Sequence, residues 1–472
     1  MAAHTNAAPP PRDSQSPQAS QPTQAASPRR PQAHRGAILH FLSDPGSAGA
    51  PGSYEYFEDG LLLVDCGRVV AVGSAVALLP GLGERFEIVN HGGHLLLPGF
   101  IDTHIHYPQT DVIASGGQNL LQWLENYTYE VERQFGDPVH ARAVAEFFLD
   151  ELLRNGTTTA MVFCTVHAAS AQAFFQAAER RRLRMIAGKV LMDRNSPADL
   201  RDTAESGERE TRELIAQWHG RERLMYAITP RFAPASSEAQ LASAGRLARE
   251  FPQVLIQSHV AENVAEIAWA RQLFPEARSY LDIYDRFGLV RERSIYAHCI
   301  HFDRTDRERM AQSGAAAAFC PSSNLYLGSG LFDIAATDAA GMRFSIATDV
   351  GGGTSFSMLR TLGDAYKVSQ SSGQHLAALR AFYLATRGAA RALGLEDRIG
   401  SFAPGCEADF IALNPCATPL IARRIAASST LEEKLLILMT LGDDRVIAGT
   451  YILGERAHID MAPGPSMPDT PP

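Results

Sequence analysis

Between residues 98 and 400 the sequence alternates short apolar runs with amphipathic stretches, and this rhythm restricts the fold more than any other feature. Runs at 95–106, 158–163, 185–191, 225–229, 254–259, 295–298, 315–319 and 342–348 read as strands. In the first gap Leu120, Leu124, Tyr127, Val131 and Phe135 recur at three- and four-residue spacing, which predicts one amphipathic helix. Asp137-Pro138 then supplies the N-cap and first-turn proline of the next helix, and Gly156 closes it after Arg154. Eight strands joined by helical crossovers predict an α/β fold, a (β/α)8 TIM-like barrel over 98–400.

The flanks lack this rhythm. Short β runs at 37–41, 61–65 and 69–72 precede the barrel, and similar runs at 408–413 and 446–453 follow it. They predict one small β-sandwich domain built from both ends of the chain, 37–97 and 401–460, with a hairpin turn at Cys66-Gly67-Arg68. Residues 1–36 are rich in Pro, Ala, Ser and Gln, contain no aromatic residue, and read as a disordered tail. Residues 461–472 read as a second flexible tail.

With 43 basic and 52 acidic residues the net charge is −9, which argues against a nucleic-acid binder. No apolar run is long enough for a membrane span. The six cysteines are scattered and form no Cys-x-x-Cys, as expected of reduced thiols in a cytoplasmic protein.

Functional residues of such barrels lie at the C-terminal ends of strands. The first strand ends in His104-Ile105-His106, two histidines on one strand face. The fourth ends in Thr229-Pro230-Arg231-Phe232, the fifth in Ser258-His259 followed by Glu262, the sixth in His298, and the eighth in Thr348-Asp349. Each has a plainer reading alone. His259 and His298 suit a core, Asp349 a helix N-cap, Glu262 a first-turn acid, and Arg231 a carboxylate's partner. Together, three imidazoles and a carboxylate suit Zn²⁺ or Fe²⁺. Such an ion lowers the pKa of bound water from about 16 towards 7, giving hydroxide at neutral pH. Glu262 is then the proton shuttle, Asp349 an acceptor of the water's proton, and His298 the group that orients the nucleophile or steadies developing charge.

Pro98-Gly99-Phe100-Ile101-Asp102-Thr103-His104-Ile105-His106 resembles the opening motif of the amidohydrolase superfamily, and Pro404-Gly405-Cys406-Glu407-Ala408-Asp409 resembles its closing one. Two-metal members carry a bridging lysine at the end of strand four. Here that position reads Thr-Pro-Arg-Phe, and Lys189 is set back in strand three, so the resemblance is to the single-metal deaminase branch. His106-Tyr107-Pro108-Gln109, Trp123-Leu124-Glu125-Asn126-Tyr127-Thr128, Ser258-His259-Val260-Ala261-Glu262-Asn263 and Cys320-Pro321-Ser322-Ser323-Asn324-Leu325 are similar to its guanine-hydrolysing members. The resemblance implies one zinc on His104, His106, His259 and Asp349, and a homodimer. It also implies a purine held by Gln109, Arg231 and Phe232 beside His106, His259 and Asp349. The implied reaction converts guanine to xanthine and ammonia by attack of hydroxide at C2. Two alternatives stand beside it: deamination of another aminated heterocycle, of 8-oxoguanine or triazine type, and a catalytically inactive scaffold.

Overall fold

The computed structural model describes residues 30–46, 49–116 and 119–457. Eight parallel strand positions form the central body. They are Phe100–His106, Thr157–Phe163, Arg184–Gly188 continued by Val190–Leu191, Met225–Pro230, Leu255–Val260, Ser294–His298, Ala316–Phe319 and Arg343–Ile346. They pair in chain order. The Asp349 amide donates to the His104 carbonyl at 3.0 Å and the His106 amide to the Val350 carbonyl at 2.7 Å, joining the last strand to the first. The expected barrel is therefore the observed one.

Two expected strands are broken, each for a local reason. The run 95–106 divides at Gly99, with Glu87–Pro98 in the terminal sheet and Phe100–His106 in the barrel. A Cβ on Gly99 would lie 2.2 Å from Thr158 Oγ1, so only glycine lets the chain cross between the sheets beside strand two. The run 185–191 divides at Lys189, whose buried ammonium pairs with Asp202 at 2.7 Å.

The helix expected over 120–135 is also interrupted. Leu120–Trp123 is α-helical, Leu124–Thr128 is a π turn, and Tyr129–Glu132 returns to α geometry. The wider turn rotates the helical residues beyond it. Thr128, Tyr129 and Glu132 are buried where the periodicity predicted Tyr127 and Val131, and the latter two are half-buried. Pro138–Arg154 forms as expected, with the Asp137 carboxylate accepting the Val139 amide at 2.9 Å.

The terminal segments share one seven-stranded sheet in the order Glu455–Arg456, Ile447–Ile452, Phe410–Leu413, Glu87–Pro98, Gln32–Phe41, Tyr54–Asp65, Arg68–Ser74. Its strand from Gln32 corrects the expected tail of 1–36. Residues 32–36 pair with residues 60–64 on one side, and residues 32–35 with 87–90 on the other. Polar side chains in Gln32, His34 and Arg35 hide that strand from an apolar-run reading. The rest of the expected tails, 1–29 and 458–472, lies outside the described residues.

Cys66 and Gly67 both take positive φ, 51° and 77°, the turn that fits a two-residue hairpin. Gly67 lies against Leu453 of the far end, where a Cβ would come within 2.9 Å of the Leu453 Cβ. The sheet thus rolls until its ends meet, and the two layers of the sandwich are halves of one sheet. Phe410 and Ala412 pack inside the roll with Ile38, Leu62 and Leu96. Ile411 and Leu413 face the other way and join the core of the barrel and its helices. No described helix is long and apolar enough to cross a membrane.

Candidate functional site

The C-terminal rim of the barrel gathers the residues that the strand ends predicted. His104 and His106 leave strand one on the same face, with their Nε2 atoms 3.3 Å apart. His259 Nε2, from strand five, lies 3.1 Å from His106 Nε2. Asp349, just beyond strand eight, places Oδ1 3.2 Å from His104 Nε2 and 3.5 Å from His106 Nε2. The four ligand atoms all lie within 4.8 Å of one another.

Electrostatics favours the ligating form of each. Burial lowers the pKa of His104, His106 and His259, which keeps the imidazoles neutral. His259 Nδ1–H donates to the Arg231 carbonyl at 2.6 Å, so its Nε2 lone pair faces the other donors. Burial would raise the pKa of Asp349, but His104, His298 and His106 hold it well below the usual carboxylate range. Three nitrogen lone pairs and an anionic oxygen aimed at one point make a donor set that suits a divalent cation of the zinc or ferrous class.

Two clamps hold these residues, and neither was visible in the strand-end reading. Asp102 accepts the backbone amides of His104 and Thr348, each at 3.2 Å, and the Thr348 hydroxyl, tying strand one to strand eight. Burial pushes the Asp102 carboxyl up to about 7. Asn324 Oδ1 lies 2.9 Å from His298 Nδ1 and accepts a hydrogen bond from its N–H.

Glu262 and His298 stand beside the cluster. Glu262 Oε2 lies 3.3 Å from His298 Nε2, and Glu262 Oε1 accepts the Ser329 hydroxyl at 2.9 Å. Burial, with Glu266 and Asp349, pushes Glu262 up to about 7 against the pull of His298 and Ser329. Burial disfavours charge on His298, but Glu262, Asp349 and Asn324 outweigh it and raise its pKa. Glu262 can therefore take and release a proton near neutral pH.

A pocket of about 420 Å³, mouth included, opens onto the cluster. His106, Gln109, Arg231, Phe232, His259, Glu262, His298 and Asp349 line it, so every predicted site residue except His104 reaches it; His104 lies behind. Leu120, Trp123, Leu124 and Leu327 add an apolar wall, and Phe232 packs edge-on against Trp269 at 6.1 Å between ring centroids. Glu132, buried behind the wall, accepts from both Gln109 and Arg231.

Three imidazoles and a carboxylate on the rim of a (β/α)8 barrel, with a buried acid alongside, define a hydrolase site of the amidohydrolase type. The chain belongs to the amidohydrolase family, whose sequence profile matches residues 95–457. Among its relatives it is similar to the guanine deaminase of Escherichia coli (strain K12), 48% identical over 403 residues, covering 85% of this chain and 92% of that one. A solved structure of E. coli guanine deaminase superposes with a TM-score of 0.88 at 45% identity, covering 90% of this chain and 99% of that one. The guanine deaminase of C. acetobutylicum, solved with guanine in its active site, gives a TM-score of 0.82 at 26% identity, covering 91% and 100%.

Proposed function

We propose that this chain hydrolyses guanine to xanthine and ammonia with one divalent ion, zinc or ferrous iron, per subunit. The observation that carries the reading is the convergence of His104, His106, His259 and Asp349 beside Glu262, facing a wall that offers Gln109, Arg231 and Phe232. The similarity to guanine deaminases supports the choice of substrate.

His104, His106, His259 and Asp349 are the ion's ligands in this proposal. When bound, the ion supplies a Lewis acid that lowers the pKa of water. Guanine lies between Phe232, which stacks on its flat face, and the donors of Arg231 and Gln109, which read its edge. His106, His259 and Asp349 bound the end of the pocket where C2 sits. A bond forms between the water oxygen and C2, and the bond from C2 to its amino nitrogen breaks. One water proton ends on ring N3 and the other on the departing nitrogen, which leaves as ammonia. Glu262 and Asp349 each accept one of these protons and pass it on, Glu262 as the shuttle; a group titrating near 7 suits both directions. His298, held by Asn324, steadies the negative charge that builds up at the oxygen.

The test is a turnover screen over guanine, adenine, cytosine and 8-oxoguanine with metal content measured on the same sample. Ammonia and xanthine from guanine, with about one zinc or iron per chain, are expected. Turnover of a different heterocycle would reassign the substrate, and neither turnover nor metal would leave a scaffold. We also propose a cytoplasmic homodimer. All six cysteines are free thiols, as suits a reducing compartment, and light scattering would report the dimer.

A further inference from the structure

Glu132 is 1% exposed, and its two oxygens serve two different pocket residues. Gln109 Nε2 donates to Oε1 at 3.0 Å, and Arg231 Nη1 donates to Oε2. Gln109 Oε1 in turn accepts the Gly351 amide at 3.3 Å. These contacts settle which end of the Gln109 amide is which: nitrogen towards Glu132, oxygen towards Gly351. Arg231 is 3% exposed and also lies over the Tyr129 ring, 5.6 Å from its centroid. Burying either charge here without the other would be costly. The π turn at Leu124–Thr128 brings Tyr129 and Glu132 onto the buried face, so this segment's irregularity serves the wall.

We propose that Glu132 determines the pocket's specificity by fixing the Gln109 amide and cancelling the Arg231 charge, so that the wall binds a neutral aminopurine and releases the anion of its dioxopurine product. The proposal rests on the guanine reading above. Replacing the 2-amino group by oxygen gives a purine that loses a ring proton more readily than guanine does. An Arg231 without its counter-ion would grip that anion, whereas the paired Arg231 offers direction without net charge.

The test compares the full-length, metal-loaded protein with its Glu132→Gln variant, by guanine turnover and by calorimetric titration of xanthine at about pH 6 and about pH 9. The KM for guanine should rise in the variant, by roughly tenfold to a hundredfold, the range of one charged hydrogen bond. Xanthine binding relative to the unmutated protein should tighten by about as much at the higher pH, where the ligand is an anion, and not at the lower. Arg231→Gln leaves Glu132 alone and should do the reverse, weakening xanthine most at the higher pH. It carries the same comparison should Glu132→Gln not fold. Xanthine binding that falls in step with guanine in Glu132→Gln, or that changes equally at both pH values, would overturn the proposal. A failure of the guanine reading shows separately, as absent turnover in the unmutated protein.

Discussion

Two buried clusters of ionisable side chains, one at each end of the barrel, are built on opposite principles. At the base, Arg184 Nε donates to Glu407 Oε2 at 2.7 Å, Arg223 Nε donates to the same oxygen at 3.0 Å, and Arg223 also pairs with Asp409. Every carboxylate there meets a guanidinium, and the Leu453 amide donates to the remaining oxygen of Asp409 at 2.8 Å. At the rim, the imidazoles of His104, His106 and His259 turn their Nε2 atoms towards one another and towards Asp349. The base is complete within the chain and fastens the terminal sheet to the barrel. The rim concentrates lone pairs of one kind, an arrangement that costs stability and makes sense as a binding site.

Breaking the rim should cost chemistry and leave the fold. Glu262→Gln should lose roughly 10²–10⁴-fold in turnover, the range of a general acid–base group, with metal content and melting temperature unchanged. Near-full activity in that variant would remove Glu262 from the reaction.

Breaking the base should do the opposite. Glu407→Ala strands Arg184 and leaves Arg223 with Asp409 alone, and should cost roughly 3–5 kcal/mol of stability by denaturant unfolding, while turnover per folded, metal-loaded molecule holds. Gly99→Ala, where the chain crosses between the sheets, should cost about 1–3 kcal/mol as Thr158 is forced aside, again with little effect on turnover.

The smallest effect is a pH dependence. Burial would raise the pKa of Glu407, but Arg184 and Arg223 lower it more. A carboxylate depressed in the folded state stabilises the protein at pH values above its unfolded pKa. That contribution fades as pH falls through the folded value. Stability should therefore decline at acid pH below the ordinary carboxylate range, and Glu407→Gln should flatten that limb. An acid limb identical in the two proteins would show that the base is not held by charge.

Much of this contrast was legible in the sequence, for reasons that mark the limits of such a reading. Barrel strands buried on both faces give apolar runs, and strand ends point at the rim, so His104, His106, His259, His298 and Asp349 could be placed by position alone. Gly99 was in view within its motif, yet its break depends on Thr158, a contact that no period encodes. The Asp102–Thr348 clamp spans 246 residues and leaves no local trace. Glu132 was missed because it falls on the buried stripe only after the π turn shifts the helical phase. The strand from Gln32 was missed because Gln32, His34 and Arg35 break the apolar run, and what holds it is backbone pairing with residues 60–64 and 87–90.

The central claim is that the rim holds one ion. Anomalous X-ray diffraction from crystals of the purified protein, recorded at the zinc and iron edges, tests it most directly. The account predicts a single strong peak within about 2.0–2.2 Å of His104 Nε2, His106 Nε2, His259 Nε2 and an Asp349 oxygen. No peak at that point, or a peak with those imidazoles turned away from it, would contradict it.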